Sequence, residues 1–304
     1  LLMGVSRLGD SGLSFVLGRQ EIVVGDGFLV GDGYAHETAA LWNIPLNFYD
    51  ALRADFARGP WHALVFGARL SPSYGGEGVS MKGQIGGAEA GWKQGDDREV
   101  ALAYFLAHDT GDADADMHAV SLRGAAGLRG FRLGGELVKE FGTTGDDTDL
   151  RGYGGHLELT YKSPLRGEPY AQVQYLLFTG DDPGTEADET YYPWQYRWND
   201  WSQWYVADLM ASTQVFNTDA RIWKLECGWT PLENTGVRLL LHRLDLDTGA
   251  SFFDDGLGEV GRGFADEADL VVDQALGENL SLWVMGGLAT PRAAAKAAVG
   301  DATS

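Results

Sequence analysis

The chain has 304 residues, and its 44 acidic against 23 basic side chains give a formal charge of -21. So acidic a balance excludes nucleic acid as a partner, since phosphate backbones require a basic footprint. Forty-three glycines, 10 Trp, 12 Tyr and 13 Phe beside only 9 Pro point instead to many aromatic-bearing strands joined by Gly/Asp turns.

In chain order, Leu1-Leu2-Met3 lacks the charged region and long apolar core of a signal peptide. The first predicted strand, 12–24, runs into "VGDGFLVG". There Gly25, Gly27 and Gly31 are spaced G-x-G-x-x-x-G with no amphipathic helix behind them. A dinucleotide loop needs G-x-G-x-x-G between strand and helix, so that reading fails. Further strands are predicted at 49–57, 62–71, 82–92, 97–108, 115–123, 128–141, 150–163, 168–179, 220–230, 235–245, 264–274 and 278–288, about thirteen in all. The longest apolar run, "VALAYFLA" from Val100 to Ala107, is strand-sized and far short of the roughly 18 residues of a membrane helix. Cys227 stands alone, forms no intrachain disulfide and reads as a small buried or lipid-facing hydrophobe.

Alternation at period two divides these strands into an apolar and a charged face. In "GHLELTYK", Leu157, Leu159 and Tyr161 oppose His156, Glu158, Thr160 and Lys162. The same split recurs in "RIWKLECGW" and "DEADLVVD". A soluble sandwich also alternates, with its polar face outward, so the pattern alone leaves both readings open. Strands of some 8 to 13 residues are long for a soluble sheet, and short turns such as "TPLENTG" alternate with long acidic loops such as "GDDPGTEADETYYPWQYRWNDWSQ". That layout predicts an all-β fold, a transmembrane antiparallel β-barrel of the bacterial outer membrane. No boundary divides the chain, so 1–304 reads as a single barrel domain.

Two stretches carry a family resemblance. "LGRQEIVVGDGFLVG" followed by "LWNIPLNFYDALRADF", and the C-terminal "GFADEADLVVDQALGENLSLWVMGGLATP", resemble the alginate export family of outer-membrane porins. The resemblance implies a Gram-negative barrel of about eighteen strands that passes an anionic polysaccharide or other solutes by diffusion, with a basic constriction in its lumen. A count near thirteen is odd and short of that, and "AAAKAAVGDATS" is no terminal aromatic strand. The expectation is therefore a barrel lacking some N-terminal strands and the last one, closed by those strands or by a partner chain, because unpaired backbone groups in lipid each cost several kcal/mol.

Placing the polar faces inward makes Arg53, Arg69, Arg123, Arg132, Arg238, Lys162 and Lys224 line the pore with Asp55, Glu136, Glu158, Glu226, Glu267 and Asp269. Arg19 joins them from within the matching motif. These arginines either select anions or pair with lumen carboxylates and brace the wall. The aromatic loop "YYPWQYRWNDWSQWY" offers Trp194, Trp198, Trp201 and Trp204 as a platform for sugar rings or, alternatively, as an interface girdle or mouth plug. "DADAD" (Asp112, Asp114, Asp116) is the best Ca²⁺ candidate among loops that otherwise carry solvated charge. The six histidines show no H-x-x-x-H or H-E-x-x-H spacing and no G-x-S-x-G elbow occurs, so the reading is a channel and not an enzyme. Its rivals are a secreted β-sandwich binding carbohydrate through the Trp-rich loop, and a barrel acting as a partner-binding scaffold.

Overall fold

The computed structural model describes residues 2–5, 11–31, 49–70, 83–95, 97–109, 115–144, 147–192, 194, 218–250, 253, 256–258, 260–277 and 280–299. Its strands are β1 (Leu2–Val5), β2 (Leu13–Gln20), β3 (Tyr49–Arg58), β4 (Trp61–Leu70), β5 (Gly83–Lys93), β6 (Arg98–Asp109), β7 (Asp116–Leu128) and β8 (Phe131–Thr143). There follow β9 (Asp149–Leu150), β10 (Tyr153–Lys162), β11 (Tyr170–Phe178), β12 (Ala220–Leu232), β13 (Thr235–Leu246), β14 (Gly263–Gly277) and β15 (Leu280–Pro291). Each strand pairs antiparallel with its chain neighbours in one continuous meander, with β9 set beside β8 off the main path.

One sheet in which every strand adjoins its sequence neighbours is not a sandwich of two sheets, so the soluble β-sandwich is overturned. All thirteen expected strands form. Two were missed, β1 and β9, whose 4 and 2 residues are too short to show alternation. Among the described residues the path carries fourteen strands. Among the described residues β1 pairs only with β2, and β15 only with β14. After β15 an alanine-rich segment forms helix α1 (Ala293–Val299), as its composition favours, and buries Ala294 and Ala295.

The two rows of side chains meet different surroundings. Leu52, Leu102, Leu137, Leu157 and Leu270 stand half or more exposed on one face. On the other, buried residues from β3 to β14 join a single cluster with Ile22, Val24 and Phe28, which come from between strands. The sheet therefore curls around that segment, and the exposed leucines form an outward apolar belt. Aromatic side chains flank the belt on the same face: Trp61, Phe131, Tyr161 and Trp229 towards the short turns, Tyr104, Phe141 and Tyr153 towards the long loops. Water does not solvate such a surface, whereas hydrocarbon bounded by two interfaces does. Leu157→Arg, at the middle of β10, is expected to weaken folding into phospholipid bilayers by about 2–4 kcal/mol, read from denaturant titration in vesicles; an unchanged midpoint would place the belt outside the membrane.

Candidate functional site: a charged chamber under an inserted segment

The predicted strand 12–24 stops at Gln20, and the chain then turns into the barrel. Five apolar side chains, Ile22, Val24, Phe28, Leu29 and Val30, are all less than 5% exposed. The Val24 N–H donates to the Val30 carbonyl at 2.9 Å, closing a turn whose tip is Gly25-Asp26-Gly27. Gly25 and Gly27 have φ of +66° and +85°, a conformation that glycine adopts without steric cost. Phe28 packs on Phe178, Tyr191 and His156 at 5.8, 5.8 and 5.5 Å between ring centroids, and the Tyr49 hydroxyl donates to the Gly31 carbonyl at 3.1 Å. The glycines at the centre of the opening motif thus form the tip of an inserted segment.

That tip is fastened to the wall by charge. Asp26 Oδ2 lies 3.1 Å from His156 Nε2. Beside it, Arg123 holds Glu89 Oε2 at 3.1 Å and Glu99 Oε1 at 2.9 Å, and Arg132 holds Glu158 Oε1 at 2.9 Å. Asp26, His156, Arg123, Glu99, Arg132 and Glu158, with Lys93, line a polar chamber of about 320 Å³ between the tip and β5–β10. Gly134 lies on the chamber's inward row, and its missing side chain leaves room there. The chamber presents cations and carboxylates side by side, an arrangement that orients a charged or dipolar solute at close quarters.

Of the residues expected to line the pore, Arg53, Arg123, Arg132, Arg238, Lys224, Glu136 and Glu158 do face inward. They are braced: Arg53 by Asp55, Lys224 by Glu226 at 2.9 Å, Arg238 by Asp273 at 3.5 Å, and Glu136 by the Ser121 hydroxyl. Arg19 and Arg69 do not line it. Both flank Asp50 across adjacent strands on the outward row, at the long-loop end, and Arg19 bonds Asp50 at 3.1 Å. The inward row also carries Glu89, Glu99, Glu140 and Asp273, so carboxylates outnumber the inward cations.

Trp194 is no open platform: it is 3% exposed and packs edge-on against Phe105 at 6.4 Å, inside the barrel. Next to it, the Tyr192 N–H donates to Glu140 Oε2 at 2.8 Å, a second point where a loop enters the lumen. Trp198, Trp201 and Trp204 lie outside the described residues, as do Asp112 and Asp114. Asp116 pairs with His108 at 2.7 Å on the outward row. Sequence reasoning missed Asp26, Glu89, Glu99 and His156 as partners. The signal that would have found Asp26 was a Gly-Asp-Gly turn between two apolar runs, too apolar for a solvated loop.

This architecture is that of an outer-membrane β-barrel porin. Among solved structures, OccAB4 of Acinetobacter baumannii superposes with a TM-score of 0.54 at 10% identity, covering 92% of this chain and 68% of that one. OccK5 (OpdH) of Pseudomonas aeruginosa gives 0.54 at 12% identity over 93% and 74%. OpdK of the same organism, solved with vanillate, gives 0.53 at 11% identity over 93% and 71%. At such identities the likeness is one of fold. No family model and no curated protein matches the sequence.

A side chain at Gly25 has no room, since its Cβ would stand 1.7 Å from Arg123 Nη1. Gly25→Val is expected to displace Arg123 and lower stability by about 1–3 kcal/mol, with a shifted urea midpoint as the readout. A wild-type midpoint would mean that the tip does not rest against Arg123.

Proposed function

We propose that the chain spans the bacterial outer membrane as a diffusion channel for small charged solutes, narrowed by the segment 21–31. The observation that carries this reading is the fastened tip, which leaves a charged chamber of about 320 Å³ inside a barrel whose outer face is apolar. That volume lies at the low end of sites for small organic molecules, and a structural neighbour was solved with vanillate, a small carboxylate. The lumen cations do not act as an anion filter, because Arg53, Arg123, Arg132, Lys224 and Arg238 each have a carboxylate partner. They hold the wall in shape and present alternating charge to the solute.

Export of an anionic polysaccharide, which the resemblance of the two terminal stretches implies, is the second reading. A polyanion needs a continuous track of cations, and the inward arginines on β3, β7, β8 and β13 are the residues that would supply it.

Single-channel recording in a planar bilayer separates the two. The diffusion channel predicts a small conductance with little preference between anions and cations, and a severalfold larger conductance when residues 22–30 are deleted. Strong anion selectivity that falls in Arg132→Ala and Arg238→Ala would favour the polysaccharide reading. Inserted protein that passes no current would overturn both in favour of a scaffold.

A further inference from the structure

The outward row changes character where the strands approach the long loops. Inside the barrel carboxylates prevail: His156 sits beside Asp26 and Glu136, and His242 beside Glu267 and Asp269. Outside, among the described residues of β2–β8, the balance reverses. Arg19, Arg69, His108, His118 and Lys139 stand at the long-loop end of the outward row, against Asp50 and Asp116. Basic side chains thus lead there in a chain whose acidic residues outnumber the basic ones 44 to 23. Asp50 bonds Arg19 through both oxygens at 3.1 Å and has Arg69 as its other cross-strand partner, so one carboxylate lies between two guanidinium groups. Arg19 and Asp50 are exposed, at 56% and 51% of their side chains, where an ion pair holds its partners only weakly.

These cations sit on the aromatic flank of the apolar belt. The Lys139 ammonium lies 3.7 Å from the centre of the Tyr153 ring, while His118 stacks on Phe141 at 5.4 Å and meets the Tyr104 hydroxyl at 2.8 Å. One step toward the middle of each strand the same row is apolar: Leu17 beside Arg19, Leu52 beside Asp50, Leu106 beside His108 and Leu137 beside Lys139, all 43% exposed or more. Positive charge directly above hydrocarbon is the complement of a phosphate above acyl chains. A free anion gains nothing from the leucines, whereas a lipid engages both. We propose that this rim binds phosphate-bearing lipids of the outer leaflet, their phosphates against Arg19, Arg69 and Lys139 and their chains along the leucines. Long loops mark the extracellular end of such barrels, and each cation near a membrane surface adds to the attraction for anionic lipid. The proposal rests on the chain's spanning the membrane and not on what passes through it.

The test is native mass spectrometry of the full chain in detergent micelles, titrated with dioleoyl phosphatidic acid. Dioleoyl phosphatidylcholine, with the same chains and a choline-capped phosphate, is the reference. Each protein is first inserted into phosphatidylcholine vesicles and then extracted, so insertion is scored apart from binding. The expected result is a preference of at least about tenfold for phosphatidic acid, falling about fivefold in Arg69→Ala and again in Lys139→Ala. Arg58→Ala and Arg98→Ala, at the short-turn end of the outward row, should keep the preference. Equal binding of the two lipids, or equal loss in all four variants, overturns the proposal. Displacement of phosphatidic acid by inorganic phosphate at constant ionic strength overturns it too, since the seat would then serve a free anion. Protein that never inserts overturns the membrane reading and the proposal together, whereas inserted protein without a preference overturns the proposal alone. Where an alanine variant fails to fold, Arg69→Gln or Lys139→Gln takes its place and must show the same loss.

Discussion

Among the described residues the wall is a ladder of antiparallel strands paired in chain order, with β9 alone off the path, and the side-chain chemistry follows from it. In hydrocarbon an unpaired backbone group costs several kcal/mol, so the strands must satisfy one another along their length. Pairing fixes register, and register fixes which row of each strand faces outward. The outward row can then be apolar without penalty, because no water reaches it. The inward row is free to carry charge, provided that each charge finds a partner when something fills the lumen.

Something does fill it. The segment 21–31 brings five apolar side chains inside, and wherever it touches the wall the inward row is apolar too, as at Leu64, Phe66 and Ala68. Where its polar tip touches, at β7–β10, the wall offers Arg123, His156 and Glu136. Excluding water there strengthens each interaction and raises the cost of leaving any group unmatched. Arg123 therefore needs both Glu89 and Glu99, and at 12% side-chain exposure it cannot also remain a free cation for solutes.

The same filling explains what was legible in the sequence. Strands β10, β12 and β14 alternate cleanly, and their charged rows face inward. In β4 both rows are apolar, because one faces lipid and the other, with Leu64, Phe66 and Ala68, faces the inserted segment. "HALVFGARL" then gives no parity, and Arg69 was assigned to the lumen although it shares the outward row with Val65. Arg19, expected in the lumen from the matching motif and not from parity, stands on the outward row of Leu17. The segment itself mimics a strand: Ile22 and Val24 alternate with Glu21 and Val23. What ends β2 at Gln20 is tertiary, the burial available inside the barrel, and no local propensity records it.

The two His–carboxylate clusters show how the position of a residue in the fold limits its use. Asp26 is carried by a turn, so its bond to His156 can be made or broken by moving a segment that no strand pairing restrains. His242, Glu267 and Asp269 are all carried by paired strands, and nothing short of unzipping β13 from β14 separates them. Groups on rigid elements hold their geometry more closely than groups on loops. Their geometry is therefore set by the register of the two strands and not by any loop.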